Sequence, residues 1–148
     1  MNPVPFRHLV SEETSFRLSR ILIIEDELST VEVMRSIMKM AGYNFRIEHQ
    51  TTDMIGLLED YDPDLVIIDY ILPLINGGDL CSEIKNHTYF SKTPVIIYSA
   101  YLKVLMSIGT YSCDAFIAKP FDVPELIGTI DRTLYPKPIR QRFLNRKY

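Results

Sequence analysis

The stretch LVIIDYILP, residues 65–73, decides the fold. Its first four residues are apolar and three of them, Val66, Ile67 and Ile68, are β-branched. Such a run reads as a strand covered on both faces. It ends on a charge, Asp69, which a buried position would exclude unless it were paired. Pro73 follows four residues later and Gly77 and Gly78 just beyond, so the chain turns there. A core strand that delivers a carboxylate to its end places that charge on a rim. The neighbouring strands then have to be asked what they deliver.

Working outward, the same grammar recurs. RILIIE (20–25), FRIEH (45–49), PVIIYSA (94–100) and AFIAK (115–119) are short strand-like runs. Helical spacing links Leu28, Val31, Met34, Ile37, Met38 and Ala41, and Gly42 suits the stop. TTDMIGLLEDY (51–61) offers a threonine cap before Ile55, Leu57 and Leu58. GDLCSEIKN (78–86) turns Leu80, Cys81 and Ile84 inward, and a weaker helix is expected over 101–109. Asp122 and Glu125 form a capping box ahead of Leu126, Ile127, Ile130 and Leu134, and Pro136 and Pro138 end that helix. The order is βα repeated five times. It predicts an α/β fold with a five-stranded parallel sheet, doubly wound with helices on both faces.

In such sheets, sites form outside the carboxyl ends of the strands. The first strand ends at Glu25, Asp26 and Glu27, the third at Asp69, the fourth at Ser99, and the fifth at Lys119 before Pro120. Each apolar run delivers polar groups to one edge. Two like charges about 4 Å apart repel by roughly 4 kcal/mol at an effective dielectric of about 20, so a carboxylate cluster holds a proton or a cation. Oxygen donors without histidine or thiolate favour Mg2+ over zinc. Ionised Glu25, Asp26 and Asp69 are balanced by one Mg2+ and the Lys119 ammonium. That site suits a phosphoryl group, with Asp69 as nucleophile and the Ser99 hydroxyl donating to a phosphoryl oxygen. Glu27 reads as a helix cap or solvated turn residue.

These residues carry a resemblance. I-I-E-D-E (23–27), V-I-I-D-Y-I-L-P-L-I-N-G (66–77), P-V-I-I-Y-S-A (94–100) and D-A-F-I-A-K-P-F (114–121) resemble the receiver domain of bacterial response regulators. The resemblance covers the chain from about Arg20 to Leu134 and implies the flavodoxin-like (βα)5 fold. It implies Mg2+ held by Glu25, Asp26, Asp69 and the backbone carbonyl of Ile71, with Asp26 the more direct ligand. It implies Asp69 as phosphoacceptor, Ser99 and Lys119 in the chemistry, and Ser99 with Phe116 as the switch pair. Pro73 and Gly77 would shape the loop after Asp69, and a cis bond would precede Pro120. A sensor histidine kinase or phosphotransfer protein would supply the phosphoryl group, and an unknown downstream protein would read the result. The protein would catalyse only its own phosphorylation and dephosphorylation, with no turnover of an external substrate.

Three positions depart from the family pattern. Ile71 is apolar and Tyr101 is bulky, and in this family both positions stand near the path of attacking water, which predicts slow loss of the phosphoryl group. Phe116 stands where tyrosine is more frequent. It has no hydroxyl to draw it outward, so its inward position is expected without phosphate.

Composition sets the remaining bounds. The chain has 148 residues, 47% of them hydrophobic, and the expected divisions are an N-terminal arm (1–19), a receiver domain (20–135) and a basic tail (136–148). The net charge is −3, yet all nineteen acidic residues lie at or before Asp131 and six of the sixteen basic ones lie from Arg132 on. An acidic body argues against nucleic-acid binding by the folded part, and no helix-turn-helix pattern is present. No run is long enough to span a membrane and no secretory signal is visible, so the cytoplasm is expected. Cys81 and Cys113 lack metal-ligand spacing and read as unpaired thiols. The stretch KVLMSIGT (103–110) suits either a partner-binding face or ordinary core. Self-association as a homodimer stays open. A receiver-fold interaction module that works without phosphorylation is the alternative function. A dehalogenase-type hydrolase would want an aspartate at position 71 and meets Ile71 instead.

Overall fold

The structure is a computed structural model, and it describes residues 18–101 and 112–136. The expected helix over 101–109, the stretch KVLMSIGT, nearly all of the N-terminal arm and the tail beyond Pro136 lie outside the described residues.

The described elements follow the expected alternation. They are β1 (Arg20–Ile24), α1 (Leu28–Ala41), β2 (Asn44–Glu48), α2 (Met54–Tyr61), β3 (Leu65–Asp69), α3 (Gly77–Asn86), β4 (Val95–Ser99), β5 (Ala115–Ala118) and α4 (Val123–Leu134). The five strands form one sheet in the order β2-β1-β3-β4-β5, and every pairing is parallel. β1, β3 and β4 occupy the centre, and their apolar runs are buried on both faces as their composition requires.

Alternation along the strands sorts the core into two clusters. Leu22, Ile24, Val66, Ile68, Val95 and Ile97 pack with Met54, Leu58, Leu80, Cys81 and Ile84 from α2 and α3. Ile21, Ile23, Leu65, Ile67, Ile96 and Tyr98 pack on the other face with Met34, Met38, Leu126 and Ile130 from α1 and α4. This is the doubly wound arrangement, with two helices on each side among the described elements. At the outer strand β2, Arg46 pairs with Glu48 at 2.7 Å and with Asp60 of α2 at 2.7 Å.

Local chemistry sets the helix ends. Gly42 closes α1 with φ 78°, the left-handed conformation that favours glycine, and its N–H donates to Lys39 O. α2 begins later than its threonines suggest. Asp53 is the cap, accepting from Gly56 N at 3.0 Å, while Thr51 Oγ1 accepts from Asp53 N. An aspartate that reaches three residues ahead competes well with a threonine for this role. Asn76 caps α3 through Asp79 N, and Asp122 caps α4 through Glu125 N at 2.7 Å. Leu28 and Ala41, which the spacing placed inward, are exposed at the two ends of α1. Neither cysteine is in a disulfide, and the Cys113 thiol donates to Ala115 O at 3.5 Å.

Candidate functional site

Register brings the strand ends together. Ile24 pairs with Ile68, so Glu25 follows β1 beside Asp69, and Asp69 pairs with Tyr98. Ser99 pairs with Ala118, so Lys119 comes one residue beyond. By alternation Glu25, Asp69, Tyr98 and Lys119 share the face of Ile23, Ile67, Ile96 and Ile117. Ser99 falls with Ile97 and Phe116 on the opposite parity. Glu25, Asp69, Ser99 and Lys119 therefore reach one edge from four strands that lie side by side, β1-β3-β4-β5, with β2 displaced to the far side of β1.

The three carboxylates meet. One ligand oxygen from each of Glu25, Asp26 and Asp69 lies within 4.8 Å of the others. Their surroundings differ sharply. Asp26 is exposed, whereas Glu25 is fully buried and Asp69 nearly so. Glu25 is nevertheless well partnered: Oε1 accepts from Glu27 N at 3.0 Å, and Oε2 accepts from the Tyr98 hydroxyl and faces Lys119 Nζ at 3.3 Å. Asp69 is held from two sides. Its Oδ1 accepts from Ile71 N at 3.2 Å, and its Oδ2 faces Lys119 Nζ at 3.2 Å. Lys119 thus sits between two anions at nearly equal distance.

Burial raises the Asp69 pKa from an ordinary 3.8 to about 6; the Glu25 charge adds to the rise, and Lys119 and the Ile71 amide oppose it. Burial, together with the Glu25 charge, holds the Tyr98 phenol far above its ordinary pKa, so that it remains a donor.

The loop after β3 depends on Gly77. Its N–H donates to Tyr70 O at 2.8 Å, and a Cβ at this position would lie 2.2 Å from Asp69 O. Only glycine lets the start of α3 approach the strand end this closely. Ile71 and Tyr101 are both more than half exposed at the rim, at 53% and 57%. Ser99 is buried, with Oγ accepting from Tyr101 N at 2.9 Å and its carbonyl accepting from Lys119 N at 2.8 Å. Phe116 is half-buried and packs against the cluster beneath α2 and α3, away from the carboxylates. The Lys119–Pro120 bond is cis. Glu27 stands at the cap position of α1, with its carbonyl accepting from Val31 N and its side chain accepting from Ser29 and Thr30. An apolar cleft of about 440 Å³ opens beside Lys119, lined by Ser29, Thr30, Val33, Ala100, Pro120 and Phe121.

One residue escaped the reading of the sequence. Tyr98 lies within the strand-like run PVIIYSA, with nothing in the run to mark it as a site residue, yet its ring centroid lies 4.4 Å from the Lys119 ammonium and its hydroxyl reaches Glu25. The available signal was a phenol one residue before Ser99 in a strand buried on both faces. Such a hydroxyl needs a partner.

An all-oxygen donor set beside a lysine, at the carboxyl edge of a doubly wound parallel sheet, defines a site that can hold a hard divalent cation. The response regulator receiver domain profile matches residues 21–131, and the chain belongs to that family. Response regulator ArlR of Staphylococcus aureus, strain Mu50, is 31% identical over 123 residues, which are 82% of this chain and 55% of that protein. The chain thus spans about half the length of the curated relatives it matches. A CheY-like response regulator receiver domain protein from Methanospirillum hungatei superposes with TM-score 0.68 at 25% identity, over 80% of this chain and 94% of that one. The receiver domain of sensor histidine kinase PA1611 from Pseudomonas aeruginosa, crystallised with a magnesium ion in its active site cleft, superposes with TM-score 0.73. That match covers 80% of this chain and 98% of that one at 21% identity, and it speaks to the fold. No helix among the described residues is long and apolar enough to cross a membrane.

Proposed function

We propose that this receiver accepts a phosphoryl group on Asp69 from a histidine kinase or phosphotransfer protein and so switches a protein-binding surface. The observation that carries this reading is the placement of the Asp69 carboxylate, 3.2 Å from Lys119 and clustered with Glu25 and Asp26. An Asp69 oxygen attacks the phosphorus, the bond from phosphorus to the donor nitrogen breaks, and the leaving imidazole keeps the electron pair and takes a proton. Lys119 is within reach of the oxygen that Asp69 presents, and it offsets charge that the new group brings. Glu25, Asp26, Asp69 and the carbonyl of Ile71 would hold Mg2+, which supplies charge neutralisation at the phosphoryl oxygens. The apolar cleft beside Lys119 supports approach of a flat donor ring. Ser99 turns its hydroxyl from the Tyr101 amide to the phosphoryl group, and Phe116 packs further inward in response. The absence of external turnover belongs to the same reading, since a covalently modified aspartate is both product and signal.

Intact mass after incubation with acetyl phosphate and Mg2+ tests the proposal. One phosphoryl adduct is expected on the wild type and none on Asp69→Asn. An unmodified wild type, or an adduct that survives in Asp69→Asn, would overturn it.

A further inference from the structure

Tyr98 connects the two halves of the charged site. It shares the register row of Asp69 and is almost completely buried. Its hydroxyl donates to Glu25 Oε2, and its ring face seats Lys119 Nζ at 4.4 Å from the centroid. The other Glu25 oxygen accepts from Glu27 N. Both Glu25 oxygens are therefore occupied before any cation arrives, while Asp26 stands in solvent.

We propose that Tyr98 is a positioning residue that competes with the cation for Glu25 Oε2 and seats Lys119 between Glu25 and Asp69. The inference rests on the reading of the site as a cation-dependent phosphoacceptor. For Glu25 to turn Oε2 toward a metal, the bond from Tyr98 has to be broken or shared. If Glu25 stays in place, the hydroxyl already satisfies part of the charge that a cation would otherwise answer. Either way the hydroxyl weakens cation binding in the resting protein. The ring, in contrast, keeps the ammonium within reach of Asp69.

The test is a double-mutant cycle on the full chain, titrated with MgCl2 by calorimetry at fixed pH and ionic strength. Tyr98→Phe keeps the ring and removes only the donor. Mg2+ is expected to bind it about tenfold more tightly than wild type, the scale of one hydrogen bond to a charged group. In a Glu25→Gln background the same change is expected to alter affinity less than about twofold, because the partner charge is gone. A purely structural role for the phenol would shift both backgrounds alike. Unchanged or weaker binding in Tyr98→Phe, or an equal gain in both backgrounds, overturns the inference. A separate comparison holds even if Tyr98→Phe folds poorly: Asp26→Asn is expected to lose more Mg2+ affinity than Glu25→Gln, and the reverse order overturns it too. Mg2+ binding with a flat cycle sinks this inference and leaves the proposed function intact. No Mg2+ binding by the wild type removes both.

Discussion

At Asp69, burial and the Glu25 carboxylate disfavour the charge that Lys119 favours, and the balance leaves a carboxyl that titrates at about 6. The folded value lies above the ordinary one, so the folded protein binds a proton that the unfolded chain has already released. Stability linked to this group is then fully present below about pH 4 and is lost as the pH rises through about 6. Asp69→Asn, neutral throughout, is expected to be more stable than wild type at pH 7.5, by on the order of 1–2 kcal/mol after allowing for solvent screening at the rim and the lost Lys119 contact. The gain should shrink toward zero as the pH falls to 4. Urea unfolding in a metal-free buffer at several pH values checks this, and a pH-independent difference would show that the charge at Asp69 is not strained. The same residue shows how far the sequence could be read. Glu25, Asp69 and Lys119 were legible because each ends an apolar run, and a charge in that place has nowhere to go but the rim. Tyr98 was not, because hydropathy counts an aromatic ring as core. Its hydroxyl acquires a role only when the register of β3 and β4 sets it beside Glu25.

At the scale of elements, strand positions were readable to within a residue, since continuous β-branched runs have few alternatives. Helix starts were less so, because several polar residues compete for one cap. Thr51 and Asp53 both precede α2, and the one whose oxygen meets Gly56 N wins. Asp122 faced no such rival, and Pro124 in the first turn of α4 reinforces that start. Asp122→Ala is expected to cost about 1 kcal/mol, within the usual 0.5–2 kcal/mol for a lost cap, measured by chemical denaturation. Since α4 follows directly after Lys119 and Pro120, the same change would loosen the segment that carries the lysine. A stability loss below about 0.3 kcal/mol would mean that the proline and the Leu126 and Ile130 packing hold the helix without the cap.

Across the whole molecule, the two apolar clusters share no residue but share every central strand. Loss of packing on one face therefore weakens the sheet on which the other face rests. Met38→Ala beneath α1 and Leu58→Ala beneath α2 should each cost about 2–5 kcal/mol, and each should leave a single unfolding transition. Coincident midpoints from far-ultraviolet circular dichroism and tyrosine fluorescence would bear this out, and separated midpoints would show that the faces unfold independently. The last helix is also tied to the start of the sheet. Tyr43 donates to Asp131 at 2.5 Å, and the Ser19 and Tyr135 hydroxyls meet at 2.8 Å. The chain leaves the described body next to where it entered.

The ion pairs of Arg46 have a consequence for behaviour in a crowded solution. An outermost parallel strand carries open amides and carbonyls that a stray chain could extend into a growing ribbon. Here that margin carries a guanidinium clasped between Glu48 and Asp60, and a newcomer would have to strip water from those charges before it could bond. The clasp does little for folding strength, yet it guards against runaway polymerisation.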